Sequence, residues 1–132
     1  MSDSLFTDTA MRTASLALDG LSLRQQAISR NLANIDTPGY QAQTVNFEQT
    51  LKRMVAGSNE LGLKTTNISH QTTAAQEARF SVSTRPGGTF RADQNNVDVD
   101  VEMTDMSEAG VAYQAISQAI SKKLLLLKTL AK

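Results

Sequence analysis

Few side chains in this chain of 132 residues are of the types that carry out catalysis. The one histidine, His70, lies in a polar stretch without a nearby carboxylate or nucleophile in the sequence, so we interpret it as a surface or interface residue. Cysteine is absent, which excludes disulfides, thiolate metal sites and thiol nucleophiles. Neither a phosphate-binding glycine-rich loop nor a G-x-S-x-G elbow occurs. We therefore predict that the protein is not an enzyme and has no catalytic residue, cofactor or small-molecule substrate.

Acidic residues cluster near the C-terminal third of the chain, at Asp93, Asp98, Asp100 and Glu102. Carboxylates at this density could bind calcium, but an EF-hand loop requires a glycine at its sixth position and a glutamate at its twelfth. The segment fits neither requirement. We interpret Asp98 and Asp100 as residues that cap a helix and favour the positive end of its dipole, and we predict no metal site.

The charges of the chain cancel, with 13 basic and 13 acidic side chains. This balance lacks the positive excess that a nucleic-acid-binding protein or a polybasic membrane anchor carries. The first ten residues contain acidic residues where a secretory signal is basic, and they lack a continuous apolar stretch. We expect no nucleic acid partner and no cleaved signal peptide.

The segment NLANIDTPGY, residues 31–40, has the residue types of a helix end followed by a tight turn. Asn34 is suited to the left-handed conformation that terminates a helix, and Pro38 disfavours a helical conformation at Thr37. Pro38 and Gly39 suit the two central positions of a type II turn, and Tyr40 then provides an aromatic ring that can pack on a helix. Taken alone, the segment predicts no more than a helix end and a turn.

Apolar residues recur in alternating steps of three and four at both ends of the chain, which predicts two long amphipathic helices. The first occupies residues 1–35 and the second residues 98–132. Gly20 lowers the helix propensity of the first but permits close approach of a neighbour. We define the assembly seam by the positions of this alternation that we expect to contact other helices: Met11, Leu18, Leu21, Ile28, Leu32, Met103, Met106, Tyr113, Ile120, Leu124 and Leu127.

A flanking line of apolar residues widens the apolar face of the second helix. It consists of Ala109, Ala112, Ile116, Ala119, Leu126 and Leu130. A face this broad predicts more than one neighbouring helix. Two such helices alone bury too little apolar surface to offset the entropy of ordering them, so we expect the monomer to be partly ordered and to complete its folding on assembly.

The middle of the chain, residues 36–97, is polar and rich in Thr, Gln, Asn and Ser. We predict it to be largely irregular. Phe80, Val82 and Thr84 alternate before the turn residues 85–88, and Thr89 and Phe90 follow, which predicts a short β-hairpin around that turn. The predicted fold is mainly α: one folding unit with long N- and C-terminal helices packed as a coiled-coil-like hairpin, and an irregular middle segment that carries the β-hairpin.

In this setting the chain resembles the flagellar axial family of rod, hook and hook-filament junction proteins. A long helix that runs into Asn-x-x-Asn-x-x-Thr-Pro-Gly-Tyr is the pattern of that family. The positions that match it are Asn31, Asn34, Thr37, Pro38, Gly39 and Tyr40. Residues 95–124 resemble the C-terminal helix of the proximal rod proteins in that family, through Asn95, Asn96, Val97, Asp98, Glu102, Met103, Tyr113 and Gln114, and LKTTNISH, residues 63–70, is similar to their middle segment.

The resemblance implies a structural subunit of the proximal rod of the flagellar basal body, in the periplasmic space. It implies export by the flagellar type III apparatus without a cleaved signal. The implied partners are further copies of the chain, other rod subunits, and the membrane-ring or adaptor proteins of the basal body. In that family the terminal helices build the inner tube and help to transmit torque.

A second function from another class remains open from the residues alone. A soluble helical hairpin that binds a partner helix reversibly, as an adaptor or chaperone does, would show the same two apolar stripes. Polymerisation that depends on protein concentration would favour the rod subunit, and a discrete dimer or one-to-one complex would favour the adaptor.

Overall fold

The computed structural model describes residues 9–57 and 80–130 of the chain. The elements in chain order are α1 (Thr9–Ala33), β1 (Gln43–Val45), α2 (Phe47–Gly57), β2 (Val82–Thr84) and α3 (Val99–Leu130). The predicted mainly helical fold with long helices at both ends is confirmed. His70 and the segment 63–70 lie outside the described residues.

The two long helices pack against each other in opposite directions. Asn31, near the end of α1, contacts Glu102 in the first turn of α3, and Leu21, further back in α1, shares the core with Ala109. At a rise of about 1.5 Å per residue, α1 is about 37 Å long and α3 about 48 Å, so the last turns of α3 continue past the described start of α1.

The start of α3 is fixed by the cap that the sequence predicts. Asp98 Oδ1 accepts hydrogen bonds from the backbone N–H groups of Asp100 at 3.0 Å and Val101 at 3.4 Å. These N–H groups have no partner within the helix, so the carboxylate satisfies them. Asp100 itself lies in the first turn, where its charge favours the dipole, and Lys128 lies in the last turn.

The sheet differs from the predicted β-hairpin. The strand at Val82–Thr84 is present, but it pairs antiparallel with β1, with Gln43 opposite Thr84 and Val45 opposite Val82. Phe90 pairs with neither of the two described strands and is 54% exposed. The prediction of a hairpin around residues 85–88 was therefore wrong, because alternation along one strand does not specify which distant segment supplies the backbone groups opposite it.

The middle segment also contains a helix that the polar composition concealed. Residues 47–57 form α2, where an irregular segment was predicted. The first residue of α2, Phe47, is 5% exposed and lies against Gly20 of α1. Arg24 of α1 also contacts the start of α2. Its guanidinium lies 4.6 Å from the centroid of the Phe47 ring. Its Nη2 donates hydrogen bonds to Val45 O at 2.9 Å and to Glu48 Oε1 at 2.6 Å.

The core lies where α1, β1, α2 and α3 meet. Its buried apolar members are Leu21, Ala27, Val45, Phe47 and Ala109. Phe80 packs edge-on against Phe47, with ring centroids 6.0 Å apart. None of the helices in the described ranges has the length and apolar character needed to cross a membrane.

Candidate functional site

The junction after α1 has the turn that the sequence predicts but a different helix end. Tyr40 N–H donates to Thr37 O at 3.2 Å across Pro38 and Gly39, and Gly39 has φ 73°, as a type II turn requires. The prediction of a left-handed conformation at Asn34 was wrong. Gln94 is the one non-glycine residue of the described ranges with a positive φ.

Asn34 ends the helix through its side chain. Its Nδ2 donates to Arg30 O at 2.8 Å, and its Oδ1 accepts from the Thr37 hydroxyl at 3.1 Å. The backbone then continues in short turns, with Thr37 N–H donating to Asn34 O at 3.0 Å. These bonds satisfy carbonyl oxygens at the end of α1. In many helices, a residue in the left-handed conformation lets the following backbone N–H groups satisfy such carbonyls instead.

Asn31 is the centre of the junction. It is fully buried, and all of its hydrogen-bonding groups have partners. Its Nδ2 donates to Gln43 O at 2.9 Å and to Glu102 Oε1 at 3.1 Å. Its Oδ1 accepts from Gln43 N at 2.8 Å and from the Tyr40 hydroxyl at 3.2 Å. One amide therefore joins α1, β1, the turn and α3, and a buried polar group with every partner present strongly restricts the geometry around it.

Glu102 is buried on the opposite side of this contact. Its Oε1 also forms an ion pair with Arg85 Nη1 at 3.0 Å, while its Oε2 has no hydrogen-bond partner among the described residues. Burial raises the pKa of Glu102 above its ordinary value, and the hydrogen bond from Asn31 and the charge of Arg85 oppose that rise. Arg85 Nη2 also binds Asp105 Oδ2 at 2.8 Å, so this arginine links the end of β2 to two successive turns of α3.

Tyr40 closes the turn onto α1. Burial raises the pKa of its hydroxyl, with the charge of Arg30 opposing the rise and that of Glu102 adding to it. The hydroxyl therefore keeps its proton and remains a donor to Asn31 Oδ1. Tyr40 thus contacts α1 through a hydrogen bond from its hydroxyl to Asn31.

Asn95 and Asn96 complete the junction from the far side of the chain. Asn95 Nδ2 donates to the carbonyl oxygens of Asn34, Ile35 and Thr37 at 2.9, 3.0 and 2.9 Å, and its Oδ1 accepts from Val97 N at 2.8 Å. Asn96 Oδ1 accepts from Ala42 N at 2.7 Å. The sequence linked this pair of asparagines to the family resemblance but indicated no structural role for them, because their partners are backbone groups about 60 residues away in the chain.

A shallow groove of about 340 Å³ lies between α1, the sheet and α3. Its floor is apolar and includes Leu21, Ile28 and Ala109, and its rim is charged, with Arg24 and Arg85 facing Asp105 and Glu108. Within residues 9–57 and 80–130, no group of three or more histidine, aspartate or glutamate side chains is arranged to hold a metal ion. The acidic residues near the start of α3 instead cap the helix or bind Arg85.

The assembly seam divides by exposure. Its buried members are Leu21 and Ile28. Its half-buried members are Met11, Leu18, Leu32, Met106, Ile120 and Leu127. Its exposed members are Met103, Tyr113 and Leu124, at 53%, 39% and 45%. The structure thus brings part of the α1 seam into the core and leaves three of the six α3 seam residues exposed among the described residues.

The face of α3 that contacts α1 is the first half of the flanking line and not the seam. Glu102 and Ala109 are buried there, and Ala112 and Ile116 pack against the core. The other members of that line, Ala119, Leu126 and Leu130, are exposed. At 3.6 residues per turn, the α3 seam lies about a quarter-turn to one side of this contact face. The hydrogen bond between Asn31 and Glu102 sets this rotation of α3, since a buried carboxylate must face its donors.

The family described as flagella basal body rod protein matches residues 11–41, which contain most of α1 and the segment 31–40 that follows from it. Over 126 residues the chain is 32% identical to flagellar basal body rod protein FlgB of Bacillus subtilis, covering 96% of this chain and 95% of the relative. It is 35% identical over 116 residues to the FlgB of Salmonella typhimurium, covering 81% of each, and 29% identical over 126 residues to that of Escherichia coli, covering 89% and 88%.

Proposed function

The chain belongs to the FlgB family of flagellar basal body rod proteins, and from this premise we propose that it builds the proximal rod by packing its two terminal helices against those of neighbouring subunits. The proposal assigns it a structural role, without catalysis, in which the rod helps to transmit torque. The neighbours are further copies and other rod subunits, with membrane-ring or adaptor proteins at the base.

The observation that supports this proposal most is the uncovered apolar surface of α3. Large apolar side chains are exposed along the helix, including Met103 at 53%, Val111 at 68% and Leu125 at 61%. Exposed apolar patches on this scale mark surfaces that another protein covers. The α1 contact covers one side of α3 only, so neighbouring helices can occupy the seam beside it.

The junction supports the same proposal from inside the subunit. Because Asn31, Asn95 and Glu102 join the ends of both long helices, the direction in which α3 presents its seam is fixed by hydrogen bonds. A tube built from many copies requires each copy to present the same surface in the same direction. We further propose export by the flagellar type III apparatus without a cleaved signal, and a final position in the periplasmic space.

The test is a charge placed in the exposed part of the seam. Leu124→Asp should abolish assembly, because a carboxylate at a helix contact costs several kcal/mol if it stays ionised. Ser121→Asp adds the same charge to an exposed position outside the seam and is the control. Motility of cells carrying each variant, and electron microscopy of the purified proteins with and without other rod subunits, give the result. Normal rods with Leu124→Asp would contradict the proposal.

Ile28→Asp should also abolish assembly, but it is a weaker test. Ile28 is 2% exposed, so a charge there would unfold the junction region as well as disturb the seam. The same microscopy addresses the adaptor function, since a discrete dimer or one-to-one complex without fibres would favour that alternative.

A further inference from the structure

The charges of α3 are completely separated by sign along its length. All of its acidic residues lie in its first third, and all of its basic residues lie in its last third. The acidic members are Asp100, Glu102, Asp105 and Glu108, and the basic members are Lys122, Lys123 and Lys128. Between Glu108 and Lys122 the helix carries no charged residue. Two copies that lay side by side in parallel without an offset would therefore place like charges next to each other.

Contacts within the subunit account for only part of this separation. The macrodipole favours acidic residues in the first turn and basic residues in the last, so it explains Asp100 and Lys128. Glu102 and Asp105 bind Arg85. Glu108 and Lys122 lie well inside the helix, are exposed, and form no hydrogen bond or ion pair within residues 9–57 and 80–130.

Glu108 and Lys122 lie close to one line along the exposed side of α3, with Glu108 at its edge, on the rim of the groove. They are fourteen positions apart, or just under four helical turns, which is about 21 Å along the axis. The same face carries Val111 and Leu125, also fourteen positions apart and 68% and 61% exposed. An offset of fourteen residues is two heptads, so it also keeps the apolar alternation of one helix in step with that of the next.

We propose that this outward face of α3 docks a second copy of the chain in parallel with an axial offset of about fourteen residues, about 21 Å, so that Lys122 of one copy faces Glu108 of the next and Leu125 faces Val111. The inference rests on the proposed rod function, because a rod that grows in one direction needs a head-to-tail interface that does not close on itself. An antiparallel pair would also match the charges, but it would close as a dimer.

Disulfide cross-linking tests the offset, since the natural chain contains no cysteine. The double variant Val111→Cys/Leu125→Cys should form a ladder of covalent dimers, trimers and longer species under oxidising conditions. Both positions are exposed, so neither change disturbs the core, and a disulfide forms only where Cα atoms come within about 7 Å. The control Val111→Cys should stay monomeric, because position 111 does not meet its own copy in the offset pair. Cross-linking of this variant would indicate a parallel pair without an offset, or an antiparallel pair centred on position 111, and would overturn the proposal.

Gln118→Cys distinguishes the antiparallel arrangement. Position 118 is exposed and lies midway between 111 and 125, so it meets its own copy in the antiparallel pair that places Val111 opposite Leu125. A parallel pair without an offset would also join position 118 to itself, but the Val111→Cys control detects that pair. We expect it to stay monomeric. Cross-linked Gln118→Cys dimers, with the double variant stopping at dimers, would overturn the proposal. Fibres of the unmodified protein without a ladder would overturn the offset but leave the rod function standing, and the absence of both would overturn both.

A charge exchange provides the second measurement. Glu108→Lys and Lys122→Glu should each raise the protein concentration needed for assembly at least about tenfold at low salt, and the combined variant should restore it. Equal assembly of all three variants would show that these charges do not face each other.

Discussion

At the scale of single residues, the junction of this protein depends on asparagine amides that bind backbone groups. The fully buried Asn31 side chain forms four hydrogen bonds. The Nδ2 of Asn95 donates to three backbone carbonyl oxygens. Aspartate has the same shape but no N–H donors, and glutamine places its amide one methylene further out. The fixed distances between helix end, turn and α3 therefore require asparagine at both positions.

Asn31→Ala should lower the free energy of unfolding by about 3 kcal/mol, because it leaves the partly buried N–H and C=O of Gln43 without their partner and removes a donor from the buried Glu102 carboxylate. Gln26→Ala is the control: Gln26 is exposed within α1, and its replacement should change stability by less than about 0.5 kcal/mol. Urea denaturation followed by circular dichroism measures both. Equal stability of the two variants would mean that the Asn31 network contributes nothing net.

Glu102 gives the junction a dependence on pH whose sign follows from its raised pKa. A carboxyl with a higher pKa in the folded state binds its proton more tightly there than when unfolded. Its contribution to stability is therefore fully present below its ordinary pKa of 4.5 and is lost as pH rises through the higher folded value. Arg85 and Asn31 reduce this loss but do not reverse it.

Glu102→Gln removes the titrating group and keeps the shape of the side chain. The free energy of unfolding of the natural protein, relative to this variant, should fall as pH rises above 4.5. Denaturation curves at a series of pH values, with the exposed Glu108→Gln as control, measure the difference. If the free energy of unfolding of the natural protein instead rose relative to that of the Gln variant as pH increased, the ion pair with Arg85 would outweigh the effect of burial.

At the scale of elements, α2 is held against α1 by a contact that only glycine allows. A Cβ built on Gly20 would lie 2.4 Å from Cγ and 2.6 Å from Cδ2 of the Phe47 ring. The ring cannot move away easily, since Arg24 lies over it and Phe80 packs against it. Glycine lowers the helix propensity of α1 at this position, but it allows the Phe47 ring at the start of α2 to pack directly against the backbone of α1.

Gly20→Ala should destabilise the protein by about 1 to 3 kcal/mol, because the added methyl overlaps the Phe47 ring. Gly110→Ala provides a control of the same chemistry: nothing lies within 4 Å of its Cβ position, so the gain in helix propensity should stabilise α3 by up to about 1 kcal/mol. Thermal denaturation in dilute solution measures the pair. A stabilising Gly20→Ala would show that α2 does not pack at this position.

At the scale of the whole molecule, the balance between covered and uncovered apolar surface governs behaviour. The core is small, and the exposed residues of α3 include Leu124, Leu125, Leu126 and Leu130, the last at 83%. Such a subunit gains stability from any partner that binds the folded form only. Folding and assembly are then expected to be coupled.

The helical content of the protein should therefore rise with protein concentration. Circular dichroism over a dilution series should show partial helicity in dilute solution and full helicity in the assembled protein. The Leu124→Asp variant should keep the lower value at every concentration. Full and cooperative helicity in dilute monomer would contradict this expectation.

Much of the architecture could be predicted from local pattern alone. Alternating steps of three and four specify a helix wherever they occur, a carboxylate before such a run specifies a cap, and Thr-Pro-Gly-Tyr specifies a type II turn, because each depends on neighbouring residues in the chain. The sequence therefore determined α1, α3, the Asp98 cap and the turn, and its motifs indicated the family that the comparisons then confirmed.

Only the tertiary structure decided which segments meet. Whether β2 pairs with β1 or with residues 89–90, and whether Phe47 begins a helix, depends on partners distant in the chain, such as Gly20 for Phe47. The rotation of α3 likewise depends on one buried contact, between Asn31 and Glu102, whose residues are 71 positions apart. A polar group can be buried at low cost only where a hydrogen-bond partner lies next to it in the folded structure. The local sequence pattern around each residue does not show which distant residue will be that partner.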